Sequence, residues 1–312
     1  MVKVALQMDP VKDINIDGDS SFVLGLEAQK RGYELFHYHP DTLIWDEGRV
    51  MADMVPVELR REKGNHFTLG ERVQRLVTDL DVVLMRQDPP FDMAYITYTH
   101  YLEQVHPKPF VVNHPRSVRN APEKLFVLDF LDLMPPTLIT RSERDVRAFQ
   151  ERHGSVVIKP LFGNGGVGVF HVEQGSPNIS SLMEMFTEQS REPVMVQKFL
   201  SRVTEGDKRI VLIDGEVAGA INRIPAAGEI RSNMVVGGSA VQSTLTPREE
   251  EICARLGPVL KEQDLIFVGI DVIDGWLTEI NVTSPTGLQS INRYDGVCLE
   301  ADIWDAIEKR LG

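Results

Sequence analysis

Residues 267–285 read F-V-G-I-D-V-I-D-G-W-L-T-E-I-N-V-T-S-P, a pattern that fits two β-strands folded on a tight turn and little else. Asp274-Gly275 between alternating apolar residues is a strong short-range hairpin signal. Side chains alternate faces along a strand, so Val268, Ile270 and Val272 share one face, and Gly269 and Asp271 the other. On the return strand, Ile280 points away from the face of Glu279 and Asn281. A plain two-residue loop would pair Ile273 with Trp276 and send Asp271 and Glu279 to opposite faces. The spacing therefore predicts an odd-length loop or a bulge near residues 274–276, which restores a common face. On that face, Asp271, Glu279 and Asn281 form an oxygen-only set suited to Mg²⁺. The other reading of the same spacing is an acidic strand edge facing water.

Upstream, Val2–Met8 reads as a buried strand, followed by a polar loop over Asp9–Asp19. A helix follows to about Arg31, with Ser20 as its cap and Gly32 as its stop, and Tyr33–Tyr38 is the next strand. This order suggests a parallel α/β sheet, whose ligands sit beyond the carboxyl ends of the strands. His37 and His39 share one strand face but lack a third ligand, which favours a structural role. Residues 42–68 are mixed in pattern and read either as strands or as a mobile excursion. Asp81–Met85 is a buried strand running into Arg86-Gln87-Asp88-Pro89-Pro90-Phe91-Asp92. That loop is either a substrate site or a capped turn into a helix over Met93–Gln104.

Near Pro122 the chain changes domain. A short helix over Glu123–Phe130 carries Lys124, and Thr137–Thr140 is a strand. A helix capped by Ser142 runs to His153, and Val156–Pro160 is a strand bearing Lys159. The glycines of Gly163-Asn164-Gly165-Gly166-Val167-Gly168 satisfy G-x-G-x-x-G, but a strand over residues 169–173 follows them where a dinucleotide fold needs a helix. They read instead as a hairpin loop whose backbone N–H groups can close over phosphates. No G-K-[ST] occurs, so a P-loop is excluded. A lysine on a buried strand is costly without an anion, so Lys159 is a phosphate-contact candidate; the alternative is a lysine snorkelling at a strand end. The strand over Val194–Leu200 could border a purine, with the backbone of Lys198, Phe199 and Leu200 at the base edge, or be plain core. Arg209 and Arg223 lie among apolar strand residues, where arginines hold carboxylates or phosphates. Ile224–Gly238 is long and unpatterned, which suggests a lid with Arg231 at its middle; the alternative is a solvated arginine. Thr246 and Glu249 form a capping box for a helix to about Gln263, and two helices follow near Leu288–Tyr294 and Leu299–Leu311.

Lys124, Lys159, a glycine loop, Asp271, Glu279 and Asn281 in this order resemble the ATP-grasp ligases. Longer stretches are similar to bacterial glutathione synthetases. They include Met8-Asp9-Pro10, Asp19-Ser20-Ser21-Phe22, Leu84-Met85-Arg86 with Asp88–Asp92, Glu123-Lys124-Leu125-Phe126, Gly206-Asp207-Lys208-Arg209, and Leu265–Ile270 through to Thr278–Pro285. The resemblance implies an α/β fold, α+β in parts. Its units are an N-terminal parallel-sheet pre-ATP-grasp domain (1–122), a central lid subdomain (123–200) and a C-terminal subdomain with the metal site (201–312). It implies ATP-dependent joining of γ-glutamylcysteine to glycine.

By the same resemblance, Lys124, Lys159 and the loop residues Gly163, Asn164, Gly165 and Gly166 meet ATP phosphates. Gln197, Lys198, Phe199 and Leu200 carry the adenine contact, and Asp207 lies near the nucleotide. Asp271, Glu279 and Asn281 match the magnesium positions, with two ions expected and Mn²⁺ as a substitute. Arg209, Arg223 and Arg231 match catalytic arginines. Arg86, Asp88, Ser284, Pro285, Thr286 and Gly287 are the expected substrate contacts. The rivals are another ATP-grasp peptide ligase and a nucleotide-binding relative without catalysis.

A net charge of −13 over 312 residues argues against nucleic acid and anionic membranes as partners. Only two cysteines and no apolar run of the ~18 residues a membrane span needs fit a cytoplasmic protein. The family resemblance suggests a homo-oligomer.

Overall fold

The computed structural model of the chain describes residues 1–226, 228–229 and 238–312. Among these residues there are three sheets, built from successive parts of the chain. The first contains β1 (Lys3–Gln7), β2 (Glu34–Tyr38), β3 (Ile44–Asp46), β4 (Arg49–Leu59), β5 (Phe67–Leu69), β6 (Val73–Leu76), β7 (Val82–Met85) and β8 (Phe110–Val112). Its order is β3-β4-β2-β1-β7-β8, with β5 and β6 also paired to β4. The strands β2, β1, β7 and β8 run parallel, as the β-loop-α-β reading requires. The mixed stretch 42–68 is an antiparallel extension on β4.

Helix α1 (Ser20–Lys30) is capped by Asp19, not Ser20: an Asp19 carboxylate oxygen accepts from the Phe22 N–H at 2.6 Å. A carboxylate also complements the positive end of the helix, which a hydroxyl does not. Helices α2 (Met93–Val105) and α3 (Pro115–Asn120) complete this part. Asn113, just past β8, ties it to the rest. Its amide donates to the Phe267 and Val282 carbonyls at 2.8 Å each and accepts from the Phe267 N–H at 2.9 Å.

The second sheet has the order β11-β10-β12-β9. Its strands are β9 (Thr137–Thr140), β10 (Val156–Pro160), β11 (Phe170–Val172) and β12 (Val194–Lys198). Two helices, α4 (Glu143–His153) and α5 (Ile179–Gln189), bury Val146, Phe149, Ile179 and Met183 against it. The helix expected over Glu123–Phe130 is a turn followed by a 3₁₀ segment at Phe126–Phe130. This segment packs on the third sheet rather than the second, with Ile280 N–H bonded to Glu123 O and Leu277 N–H to Leu133 O.

The third sheet has the order β15-β14-β13-β16-β17. It comprises β13 (Asp207–Ile213), β14 (Glu216–Ile224), β15 (Ser239–Gln242), β16 (Phe267–Ile273) and β17 (Trp276–Asn281), followed in space by α6 (Pro247–Glu262), α7 (Leu288–Asp295) and α8 (Leu299–Leu311). The capping box of α6 forms as expected. Trp304 of α8 is fully buried and donates to the Leu24 carbonyl of α1 at 2.9 Å, locking this sheet's helix layer to the first.

The predicted parity break in the β16–β17 hairpin exists but lies elsewhere. Ile273 pairs with Trp276, so the turn is a plain two-residue one, with φ of 51° at Asp274 and 74° at Gly275. Those left-handed values are what a type I′ turn requires, and Asp-Gly adopts them at little cost. Val272 then faces Leu277 while Asp271 faces Glu279, which leaves Thr278 as the extra residue. Its hydroxyl donates to the Asp271 carbonyl at 3.0 Å. The turn was already satisfied locally, so the bulge formed where a threonine could serve the disrupted ladder.

Candidate active site

The register of the third sheet puts six polar side chains on one face. Asp207 faces Arg223, Arg209 faces Asp271, Asp271 faces Glu279, and Asn281 faces Gly269 two residues away. Glycine at 269 leaves room here: an added Cβ would sit tightly, 3.1 Å from Arg209 Cδ and 3.2 Å from Pro285 Cβ. Arg209 crosses that gap and grips Asp271 with both ends of its fork, Nε to Oδ1 at 2.6 Å and Nη2 to Oδ2 at 2.9 Å. Arg223 reaches the same carboxylate at 2.9 Å and Asp207 at 2.6 Å. Burial opposes the charge on Asp271, but Arg209 and then Arg223 outweigh it and hold the carboxyl well below the usual range. Burial likewise opposes the charge of Arg223, and Asp207 and Asp271 reverse that.

Two lysines from elsewhere converge on Glu279. Lys124 Nζ lies 3.5 Å and Lys159 Nζ 3.6 Å from the same Glu279 oxygen. Lys124 also donates to the Gly163 carbonyl at 2.6 Å and lies 3.7 Å from Glu123. Burial disfavours both ammonium groups. For Lys124, Glu279 and Glu123 outweigh it and raise the pKa; for Lys159, burial outweighs Glu279 and the Lys124 cation adds to it, so the pKa is lowered. Glu279 is itself lowered because the two lysines overcome its burial.

The donor set Asp271, Glu279 and Asn281 offers only hard oxygens, as Mg²⁺ prefers. Among the described residues, no three His, Cys, Asp or Glu side chains group as a metal set. The third member here is an amide, and its Nδ2 lies 3.4 Å from Asp271 Oδ2. The carboxylates are neutralised by Arg209, Arg223, Lys124 and Lys159, the arrangement expected of a site that exchanges these partners for a cation and phosphates. The residues fit the ion.

These groups line one cavity of about 810 Å³, within the range of ligand pockets. Gly163, Asn164, Gly165 and Gly166 line it, with Val167 N–H bonded back to Asn164 O across the turn. So do Gln197, Lys198, Phe199, Leu200 and Asp207. Gln197 is held by the Thr137 hydroxyl at 3.0 Å, and Phe199 is backed by the His171 ring, 3.9 Å between centroids. The N–H groups of Lys198 and Phe199 already serve Pro136 and Ser155 carbonyls. That leaves the Leu200 N–H and the carbonyls as the groups a base edge could meet.

The cavity continues to Asp88 and to Ser284, Pro285, Thr286 and Gly287. Ser284 Oγ donates to Asp88 Oδ1 at 3.0 Å, joining the two expected substrate segments. Arg86 is not on the cavity wall but behind it. It is buried over the Phe267 ring and bonds Ser21 Oγ and the Pro285 carbonyl, so it shapes the wall through Pro285. Arg231 lies outside the described residues. His37 faces the Met8 and Asp9 carbonyls, in keeping with a structural role.

Sequence reasoning passed over several lining residues. Glu123 is pushed up to about 7 by burial first and by the Glu279 carboxylate second. Asn15, Asp17, Gly18 and Asp19 line the cavity from the loop after β1, and Ser290 and Arg293 from α7. The sequence does put the loop Asp9–Asp19 at the carboxyl edge of the first sheet, where ligands sit, without singling out these four residues. For Glu123, Ser290 and Arg293 there was no signal, because each owes its position to packing across the third sheet.

Comparison with known proteins agrees over the whole length. The family "Prokaryotic glutathione synthetase, N-terminal domain" matches residues 2–119, and "Prokaryotic glutathione synthetase, ATP-grasp domain" matches residues 123–296. A curated relative from Brucella melitensis, "Glutathione synthetase", is 57% identical over 99% of both chains. A protein of the same name from Shewanella oneidensis is 43% identical over 100% of both. Among solved structures, D-cycloserine synthetase is similar with a TM-score of 0.70 at 15% identity, covering 99% of this chain and 100% of that one. D-alanyl-alanine synthetase A from Vibrio cholerae gives 0.65 at 13%, covering 99% and 98%. At such identities these two show the fold alone.

Proposed function

The chain belongs to the prokaryotic glutathione synthetase family and is an ATP-dependent carboxylate–amine ligase that makes glutathione; from that premise we propose how its residues carry the reaction. The observation that supports the scheme is the single face on which Arg209, Arg223, Asp271, Glu279 and Asn281 meet Lys124 and Lys159.

A carboxylate does not acylate an amine at neutral pH, because oxide would have to leave. Phosphorylating the cysteinyl carboxylate of γ-glutamylcysteine converts that oxide into phosphate, and the glycine amine then displaces it. Lys124 and Lys159 hold the phosphates of ATP, giving up Glu279 as they do so. The Gly163–Gly166 turn covers the phosphates with backbone N–H groups. Bound at Asp271, Glu279 and Asn281, Mg²⁺ supplies charge neutralisation for the transferring phosphoryl group. Arg209 and Arg223 steady the negative charge that grows on the phosphoryl group and then on the tetrahedral carbon's oxygen. The strand end Gln197–Leu200 receives the base. Asp88 and Ser284–Gly287 flank the peptide side of the cleft.

With this scheme go two Mg²⁺ ions, replaceable by Mn²⁺, and a cytoplasmic homo-oligomer, both on the support of the family resemblance. Among the described residues no helix is long and apolar enough to cross a membrane.

The test is ADP release. Turnover should require γ-glutamylcysteine, ATP and Mg²⁺, and reach its full rate only with glycine. ADP formation indifferent to the dipeptide, or with alanine or glutamate as the preferred partner, would overturn the reading. For Arg231 the expectation stays that of the sequence: it guards the activated acid from water. Arg231→Ala should release phosphate in excess over tripeptide; a ratio of one would refute that role.

A further inference from the structure

Gln289 of α7 sits beside the cavity without lining it, and the scheme above gives it no task. Its Nε2 donates to the Ile16 carbonyl at 3.0 Å and the Asp19 carbonyl at 2.7 Å. Its Oε1 accepts from Arg61 Nη1 at 2.9 Å. Carbonyls only accept and a guanidinium only donates, so one orientation of the amide satisfies all three bonds and its flip satisfies none. Arg61 is itself braced over the Phe22 ring, 5.6 Å to the centroid, and the Phe22 N–H donates to the Asp19 carboxylate. The segment so held, Ile16 to Asp19, has no helix or strand of its own.

This clasp joins the two walls of the cleft. Asn15, Gly18 and Asp19 line the cavity from the first sheet's side, and Ser290, next to Gln289, lines it from the third sheet's side. The reacting carboxyl has to lie near Arg209 and Arg223, and Arg209 Nη1 is 3.4 Å from the Thr286 carbonyl. Glycine, with two carbons, needs only the space beside that point. The γ-glutamyl arm needs about 7 Å more, the reach of two extended residues, and the walls that Gln289 joins belong to the same cavity.

We propose that Gln289 is a positioning residue for the donor dipeptide: by fixing the loop before α1 against α7, it sets the width of the subsite that takes the γ-glutamyl arm. The proposal rests on the ligase reading above. Gln289→Glu is the sharp variant, because it is isosteric and keeps Arg61 but loses both donors and turns a carboxylate toward two carbonyl oxygens. Steady-state constants for γ-glutamylcysteine, ATP and glycine should be measured in Gln289→Ala, Gln289→Glu and Arg61→Ala.

The KM for γ-glutamylcysteine should rise about 10-fold in Gln289→Ala and further in Gln289→Glu. In Arg61→Ala, which keeps both carbonyl bonds but loses the group orienting the amide, about threefold is expected. The KM for ATP and kcat should stay within about twofold, as for lost ground-state binding. Calorimetric binding of the dipeptide to the unliganded variants should weaken by the same factors. Parallel rises in all three KM values, or a lower melting temperature with the dipeptide KM unchanged, would mean a merely structural role and overturn the proposal. A wild-type protein inactive on γ-glutamylcysteine would overturn the ligase reading itself, and this proposal with it.

Discussion

Glu279→Gln is expected to lower kcat by on the order of 10³-fold or more while the protein stays folded. Glu279 has two tasks that the substitution separates. In the unliganded protein it neutralises Lys124 and Lys159 at 3.5 and 3.6 Å. In the scheme proposed above it is a cation ligand, and a neutral amide is a poor replacement for a carboxylate on Mg²⁺. Losing the first task should destabilise the free protein by about 1–3 kcal/mol, because two buried ammonium groups lose the negative charge they share. It should also leave both lysines available, so the affinity for metal-free ATP holds or rises. The experiment pairs a melting curve with nucleotide binding with and without Mg²⁺, and with turnover. Near-normal turnover would remove Glu279 from the metal site. Loss of metal-free ATP binding would instead mean that the side chain shapes the phosphate pocket.

The residues that were legible in the sequence are those whose signal is local. The Asp274-Gly275 turn, the Thr246 capping box and the strand bearing Lys159 needed only a few neighbours to be read. The parity argument for residues 271–281 established that an extra residue had to exist. It could not tell where, because any bulge between Asp271 and Glu279 restores the common face; Thr278 was chosen by a hydroxyl-to-carbonyl bond. Ser20 read as the cap of α1, and the helix dipole favoured the charged Asp19 just before it. Arg86 shows the opposite limit. Its place in a charged loop at a strand end suggested substrate, yet the cation lies under Phe267 and works through the Pro285 carbonyl. Which way a side chain turns at a strand end depends on the neighbouring subdomain, 199 residues further along. The pairing of Asp271 with Arg209, 62 residues apart, was equally out of reach. The sequence supplied both charges and left their meeting to the register of two strands, β13 and β16.

Asp271→Asn should combine the largest stability loss with loss of activity, and the two should respond differently to ligand. Asp271 is the common anion of Arg209 and Arg223, so its removal strands the buried Arg209 guanidinium and leaves the buried Arg223 with Asp207 alone. Breaking one side of such a buried pair costs about 3–5 kcal/mol. Because the native carboxyl titrates below its unfolded value, its contribution is complete above an unfolded pKa of about 3.9 and fades as pH falls through the native one. The gap in stability between wild type and Asp271→Asn should therefore be constant from neutrality down to about pH 4 and narrow only below it. A gap that closes between pH 7 and 5 would mean that another group, such as Glu123 near 7, governs the cluster. Arg209 and Asp271 touch, so their effects should not add: Asp271→Asn with Arg209→Met should be more stable than the sum of the single losses predicts, since the second change removes a stranded charge. Phosphate-bearing ligands should rescue the single variant for the same reason, as they offer the two arginines a new anion. An Asp271→Asn protein that is stabilised by ADP and phosphate more than wild type is, yet turns over at least about 10³-fold more slowly, would separate the holding of the arginines from the chemistry they assist. Equal stabilisation of both proteins would show that the arginines do not meet the phosphates at all, and the catalytic assignment of Arg209 and Arg223 would go with it.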